Sequence, residues 1–172
     1  MTIDVPSLVM AAGREVVGKI RLQKIVYLLD QLGLNSGFSY EYYHYGPYSE
    51  DLAEKVEDDV VFGQLEASQR RRVSDGVPYV AYSAAKSGDG DRLEAHMPMG
   101  RIRVALDEMQ RNSATILELA ATIHWLAAIE GVSDWKTELI RRKGAKTRDG
   151  RDRKAFELLQ ALGLPPAARF VQ

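Results

Sequence analysis

The chain has 172 residues, 45% of them hydrophobic and 27% charged, a composition that excludes a disordered protein and allows a core of its own. Its net charge is −1 and it has no cysteine, which excludes disulfides, thiolate zinc sites and a cysteine nucleophile and favours a reducing compartment. Because no apolar stretch approaches the roughly 20 residues of a membrane helix and the N-terminus lacks a signal-peptide pattern, we expect a soluble cytoplasmic protein.

Two helices are predicted in the first part of the chain. Pro6 suits the first turn of a short helix that extends to about Ala12 and ends at Gly13. Between residues 19 and 32, apolar residues recur at spacings of three and four, and Gly33 follows at a position where helices commonly end. The second segment is therefore predicted to be an amphipathic helix.

The most distinctive stretch follows at residues 40–56, which read YEYYHYGPYSEDLAEKV. Its aromatic residues favour a strand, which Gly46 and Pro47 would end. Alternate side chains of such a strand face opposite sides. The two faces would be Phe38, Tyr40, Tyr42 and His44 on one side, and Tyr43 and Tyr45 on the other. Because both faces are aromatic, at least one of them exceeds what a thin core requires.

An acidic helix and a β-hairpin are predicted next. Ser49 can cap a helix whose first turn is acidic, as the helix dipole favours. The buried stripe of this helix would be Leu52, Val56 and Val60. Residues 63–83 read as two strands joined by a turn at residues 74–76, and residues 87–92 read as a loop.

One long helix is predicted from residue 100 to residue 130, with Asn112 and Ser113 as the expected place for any break. It carries apolar residues spaced seven apart: Ile102, Met109, Ile116 and Ile123. Such a seam would be either intramolecular core or a homodimer interface, so a monomer or a homodimer is expected. Two shorter helices should follow, at about residues 133–143 and 151–162.

These elements predict a mainly α protein with a small antiparallel β element, an α+β fold. The N-terminal helices, the aromatic strand and the hairpin would occupy residues 1–86. The long helix and the two shorter ones would occupy residues 99–164, and the whole chain, 1–172, would form a single domain.

The sequence has no pattern that indicates catalysis. Its three histidines, His44, His96 and His124, do not have the spacing of metal ligands, and HExxH, GxGxxG, P-loop and GxSxG motifs are all missing. The carboxylates of residues 57–59 could face a cleft, but consecutive helix positions point in different directions. We therefore expect no enzymatic activity, no cofactor and no metal.

Charge is distributed unevenly and leaves a nucleic-acid-binding alternative open. Residues 41–66 hold eight acidic residues and one lysine, whereas residues 136–154 hold nine basic and three acidic ones. The order helix, strand, helix, hairpin is that of a winged-helix regulator, but the helix at the recognition position is acidic and phosphates would repel it. Binding to a nucleic-acid backbone would instead use the basic segments: Arg70, Arg71, Arg72, Arg141, Arg142 and Lys143.

The tyrosine-rich stretch is the candidate protein-binding site. Tyrosine offers a rigid apolar body with a polar tip, so a cluster of tyrosines forms either core or a recognition surface. On the second interpretation the partner-binding residues are Tyr43, His44, Tyr45, Gly46, Pro47 and Tyr48. The first interpretation, that the stretch is core, stays open at this point.

Residues 18–66 also resemble a known family. The resemblance rests on RLQKIVYLLDQLG followed by FSYEYYHYGPYSEDL, a combination similar to the Panacea-domain proteins, the SocA-like antitoxin group, and most closely to their YwgA-like relatives. The matching positions are Leu22, Gln23, Lys24, Tyr27, Tyr45, Gly46 and Pro47. The resemblance implies a mostly helical fold with a small β element, and a role in neutralising a toxin encoded nearby or delivering it to a protease, in a mobile-element or phage-defence setting. It supplies no catalytic residues.

Overall fold

The structure, a computed structural model, describes residues 1–85, 93 and 95–166. The elements in chain order are α1 (Val5–Ala11), β1 (Glu15–Val17), α2 (Lys19–Gln31), β2 (Glu41–Tyr43), β3 (Gly46–Tyr48), α3 (Glu50–Val61), β4 (Leu65–Arg71), β5 (Pro78–Ala84), α4 (Met99–Gln110), α5 (Ala114–His124), α6 (Trp135–Lys143) and α7 (Arg151–Leu162). A π-helical turn, Trp125–Ile129, continues α5, and a 3-10 turn, Gly144–Thr147, joins α6 to α7. The predicted fold class, mainly α with a small antiparallel β element, is confirmed. The loop predicted at residues 87–92 lies outside the described residues.

The β structure consists of a three-stranded sheet and a separate two-stranded hairpin. In the sheet, β5 lies between β1 and β4 and pairs antiparallel with both. The predicted hairpin is β4 with β5, and the prediction is confirmed. β1 was not expected, because three residues, Glu15–Val17, are too few for a recognisable alternation of apolar and polar positions.

The prediction of one aromatic strand through residue 45 is wrong. The chain forms β2, turns at His44 and Tyr45, and returns as β3, so that Tyr43 pairs with Gly46 and Tyr42 with Pro47. Gly46 adopts a φ of +83°, which is readily available only to glycine. Pro47 is tolerated because both strands of a two-stranded hairpin are edge strands. His44 consequently lies exposed in the turn, and not on a strand face with Phe38.

The prediction of one long helix is also wrong, although the break falls where it was expected. α4 ends at Gln110, and the side chain of Ser113 caps α5 by accepting a hydrogen bond from the Ile116 N–H at 3.2 Å. The seam residues are all buried within the chain: Ile102, Met109, Ile116 and Ile123. α5 is the central helix and contacts α2, α6, α7 and β3.

A hydrophobic cluster of buried side chains runs through both halves of the chain, from Ile3 in the N-terminal part to Leu164 near its other end. It includes residues of α1, α2, α4, α5 and α7 together with β1 and β5. The tyrosine-containing hairpin lies at its edge, between α2 and α5. Within the described part of the chain, every helix is too short or too polar to cross a bilayer.

Two neighbouring positions on α4 test the packing of the seam. Ile102 is fully buried, whereas Val104 is 72% exposed. We expect Ile102→Ala to lower the free energy of unfolding by about 2–5 kcal/mol, because it leaves a cavity in the core. Val104→Ala should change it by less than about 0.5 kcal/mol. Urea denaturation measures both, and equal losses for the two variants would contradict the assignment of the seam to the core.

Candidate functional site: the tyrosine hairpin and its buried base

The hairpin formed by residues 41–48, here called the tyrosine hairpin, is bound to α2 by buried polar side chains. The Gln23 side chain donates a hydrogen bond to the carbonyl of Ser49 at 2.8 Å and accepts one from the Ser49 N–H at 2.9 Å. The Lys24 ammonium donates to the carbonyl of Pro47. Gln23 and Lys24 are both buried, so these bonds satisfy groups that water cannot reach. They hold β3 and the N-terminus of α3 at fixed positions.

A second set of buried bonds lies one and two turns further along α2. The Tyr27 hydroxyl is hydrogen-bonded to Nδ1 of His124 at 2.7 Å, and the Tyr27 ring packs edge-on against Tyr40, with the centroids 5.1 Å apart. The Tyr40 hydroxyl donates to the carboxylate of Asp30 at 2.8 Å. Burial raises the pKa of both tyrosines and lowers that of His124 to about 4, so all three are neutral at pH 7. These residues join α2 to α5 and to the segment that leads into the hairpin, and together they are called the base of the hairpin.

Gly46 brings the backbone of the hairpin against α5. A Cβ atom at this position would lie 2.7 Å from Oγ1 of Thr122, closer than such atoms approach in folded proteins. That hydroxyl is itself held, since it donates to the carbonyl of Glu118 at 2.8 Å. Glycine is therefore required at this position for two reasons: the backbone has a positive φ, and it lies close to the Thr122 side chain.

A buried carboxylate connects the hairpin turn to the C-terminal helices. Glu118, 3% exposed, accepts hydrogen bonds from the ammonium groups of Lys143 at 2.9 Å and Lys146 at 3.0 Å. Lys143 also donates to the carbonyl of His44 at 3.0 Å. Lys24 lies in the same region: burial lowers its pKa to about 8, an effect that Glu118 opposes and the two other lysines reinforce. The three lysines and one glutamate thus join α2, α5, α6 and the hairpin.

The tip of the hairpin is exposed although its base is buried. Tyr43 and Tyr45 are 41% and 50% exposed, and His44 between them is also exposed. Tyr43 packs edge-on against the half-buried Tyr48, with the ring centroids 5.6 Å apart. The Lys146 ammonium lies 4.8 Å from the centroid of the Tyr45 ring, in cation–π geometry. The tip therefore presents aromatic rings in defined positions.

Gly46 and Pro47, by contrast, are buried. The six residues predicted to bind a partner thus fall into two groups. Four of them are exposed or half-buried and can be reached by a partner: Tyr43, His44, Tyr45 and Tyr48. Gly46 and Pro47 support that surface from inside, so any effect of their substitution on binding would pass through the position of the hairpin.

A pocket of about 110 Å³ opens beside the hairpin, between α2, β3, α3 and β5. Three tyrosines from different parts of the chain contribute to its lining: Tyr45, Tyr48 and Tyr82. Most of the remaining lining consists of apolar side chains of α2 and α3 together with the charged residues Lys19 and Glu57. Sequence reasoning missed Tyr82 because its approach to the hairpin depends on the packing of β5 against the N-terminal elements, which no local pattern reveals.

The basic residues of the nucleic-acid alternative all have partners. On and beside β4, Arg70 forms a two-bond ion pair with Glu15, Arg71 donates to the carbonyl of Gly76, and Arg72 pairs with Asp75. On α6, Arg141 and Arg142 share Glu138, and Arg142 also pairs with Glu130. The Lys143 side chain is buried against Glu118. Little of this positive charge is left uncompensated for phosphates.

Among the described residues, no group of three or more His, Asp or Glu side chains is placed to hold a metal ion.

Comparison with known proteins supports part of the resemblance. No family model matches the chain. The chain is similar to "Uncharacterized protein YwgA" of Bacillus subtilis (strain 168), with 27% identity over 116 residues, which is 67% of this chain and 69% of that protein. This similarity supports a YwgA-like relationship, and the wider Panacea-domain assignment stays a prediction.

The energetic cost of adding a side chain at Gly46 can be compared with the cost at another glycine that also has a positive φ. Gly46→Ala should lower the free energy of unfolding by about 1–3 kcal/mol more than Gly63→Ala does. The reason is that Gly63 also has a positive φ, +71°, but a Cβ atom added there would have no neighbour within 4 Å. Adding Thr122→Ala should recover part of the extra loss. Chemical denaturation of the double-mutant cycle tests this, and additive effects would argue against the contact.

The buried Lys24 should make stability depend on pH in a defined window. Burial lowers its pKa from 10.5 to about 8 in the folded chain, so the unfolded chain binds more protons between these values. The penalty for the buried charge is fully present below pH 8 and is relieved as the pH rises. Between about pH 7.5 and pH 10, the free energy of unfolding of the wild-type protein should rise by about 2 kcal/mol relative to that of the Lys24→Met variant. Parallel urea titrations at both pH values measure it, and a constant difference between the proteins would refute the lowered pKa.

Proposed function

We propose that the protein is a non-enzymatic protein-interaction module that acts as an antitoxin, by neutralising a toxin encoded nearby or delivering it to a protease. The binding surface is the tip of the tyrosine hairpin. The observation that carries this proposal is the exposure of Tyr43 and Tyr45, 41% and 50%, on a hairpin whose base is largely buried.

The energetics of recognition favour such an arrangement. Binding is weakened by the entropy lost when flexible groups become ordered, so a surface that is already ordered binds more tightly. The tyrosine hairpin is held by Lys24 and Gln23 from α2, by Thr122 from α5, and by Lys143 from α6. These contacts position the backbone of the hairpin, and the rings at its tip gain further contacts from Tyr48 and Lys146. Tyrosine is also among the residues most enriched in binding hot spots.

The resemblance supports the antitoxin part of the proposal. Seven positions match the Panacea-domain pattern: Leu22, Gln23, Lys24 and Tyr27 on α2, and Tyr45, Gly46 and Pro47 in the hairpin. Lys24 and Pro47 of this set are directly hydrogen-bonded to each other. The matching residues include a contact that fixes the hairpin on α2, so the resemblance favours a hairpin presented to its partner as in that family.

Co-expression is the direct test of this function. Each gene product encoded beside this protein is expressed alone and together with it, and growth and co-purification are followed. We expect one neighbour to inhibit growth when expressed alone, to be tolerated in the presence of this protein, and to co-purify with it. Absence of both rescue and co-purification for every neighbour would reject the antitoxin function.

The tyrosines at the tip should separate binding from stability. Tyr43→Ala and Tyr45→Ala are each expected to change the free energy of unfolding by less than about 1 kcal/mol, because both side chains are exposed. At least one of them should weaken partner binding by about 2 kcal/mol or more, which is roughly thirtyfold. Thermal melts and calorimetry with the co-purified partner give the two quantities.

Val104→Ala, an exposed apolar residue on α4, is the matched control and should alter neither quantity. Losses of about 3 kcal/mol in unfolding for both tyrosine variants would instead mean that the hairpin is core alone.

A further inference from the structure

The helix that follows the hairpin carries a strip of exposed negative charge. Five carboxylates of α3 are exposed: Glu50, Asp51, Glu54, Glu57 and Asp58. The lysine of this helix, Lys55, is already paired with the buried Asp59. Within the described residues, none of the five exposed carboxylates takes part in an ion pair. The α3 surface therefore attracts cations, in contrast to the basic residues of β4 and α6, which are matched internally.

The pocket beside the tyrosine hairpin opens along this acidic helix. Leu52, Ala53, Val56 and Glu57 of α3 contribute to its lining, opposite residues of α2. The pKa of Tyr48, which also lines it, is raised by burial and then by Glu50 and Glu57, so the field of these carboxylates reaches the pocket. Lys19 is an exposed cation of the lining, whereas the Lys24 ammonium is engaged by Pro47. An apolar opening thus lies next to a strip of negative charge.

We propose that this pocket binds an apolar side chain from a basic segment of the partner protein, while the α3 carboxylates bind the lysines and arginines that flank it. The inference rests on the proposed function and names the chemistry of the partner. A pocket of about 110 Å³ with aromatic and aliphatic walls suits one aliphatic or aromatic anchor residue. The faces of the exposed tyrosines offer further sites for arginine side chains.

Fluorescence anisotropy with synthetic peptides tests this directly. The probe is a short labelled peptide with one central leucine flanked on both sides by lysine and arginine. One matched peptide has serine in place of the leucine, and another has glutamate in place of the basic residues. We expect the first peptide to bind, the serine peptide to bind at least about tenfold more weakly, and the glutamate peptide not to bind. Added salt should weaken the binding of the first peptide, since exposed charges are screened.

Variants of the protein locate the binding site. Glu57→Lys reverses a charge at the pocket, and Ala53→Trp fills the pocket from the surface of α3. Each variant should bind the leucine peptide at least about tenfold more weakly than the wild-type protein does. Glu157→Lys makes the same charge change at an exposed position of α7 and is the matched control, for which no loss is expected. Circular-dichroism melts of each variant confirm that it is folded.

The peptide measurements can overturn the inference in three ways. These are equal binding of the leucine and serine peptides, preference for the glutamate peptide, or unchanged binding by both pocket variants. Self-association that is lost in Glu57→Lys would also overturn it, because the occupant would then be a second copy of this chain. If a neighbouring gene product binds through Tyr43 or Tyr45 but is insensitive to Glu57→Lys and Ala53→Trp, this inference fails while the proposed function stands. If the leucine peptide binds as expected but no neighbour is neutralised, the antitoxin function fails and the pocket assignment stands.

Discussion

The buried hydrogen bond from the Lys24 ammonium to the carbonyl of Pro47 is the interaction on which the candidate site depends. An ammonium group removed from water is destabilising by several kcal/mol unless acceptors surround it. Here the acceptor is a backbone carbonyl of the hairpin, and the nearby Glu118 offsets only part of the cost of burial, because Lys143 and Lys146 already pair with it. A shift of the hairpin along α2 would move this carbonyl away from the buried ammonium, so the bond favours the observed position of β3.

Strands of three residues would not be stable as an isolated hairpin. The tyrosine hairpin is stabilised by what surrounds it: polar bonds to α2, close packing of Gly46 on α5, and the bond from Lys143 to the turn. This division explains why its base is rigid and buried while its tip is exposed. The proposed recognition surface therefore presents exposed aromatic rings that are not the main contacts holding the hairpin to the fold.

The uneven charge of the sequence also has a structural explanation. Much of the basic segment is used inside the protein, where Lys143 and Lys146 neutralise Glu118 and Arg142 joins Glu130 to Glu138. The acidic helix α3 has no comparable set of partners among the described residues. The charge of the basic segment is thus partly neutralised by carboxylates, whereas the carboxylates of α3 face solvent. A protein with a net charge of −1 can thus present a distinctly negative helix surface.

Elements whose signals are local could be predicted from the amino-acid sequence alone. Apolar spacing predicted α2, α3 and the seam of α4 and α5, a capping serine marked the start of α3, and residues 74–76 marked the turn of the β4–β5 hairpin. The tyrosine stretch was predicted to be the candidate site, although the single strand on which its two faces were assigned does not form. Contacts between distant segments, by contrast, emerged only from the folded chain: the pairing of β1 with β5, the turn at His44 and Tyr45, the burial of Lys143, and the entry of Tyr82 into the pocket. The difference arises because helix and turn preferences depend on neighbours in the chain, whereas the burial of a charge or the lining of a pocket depends on partners dozens of residues away.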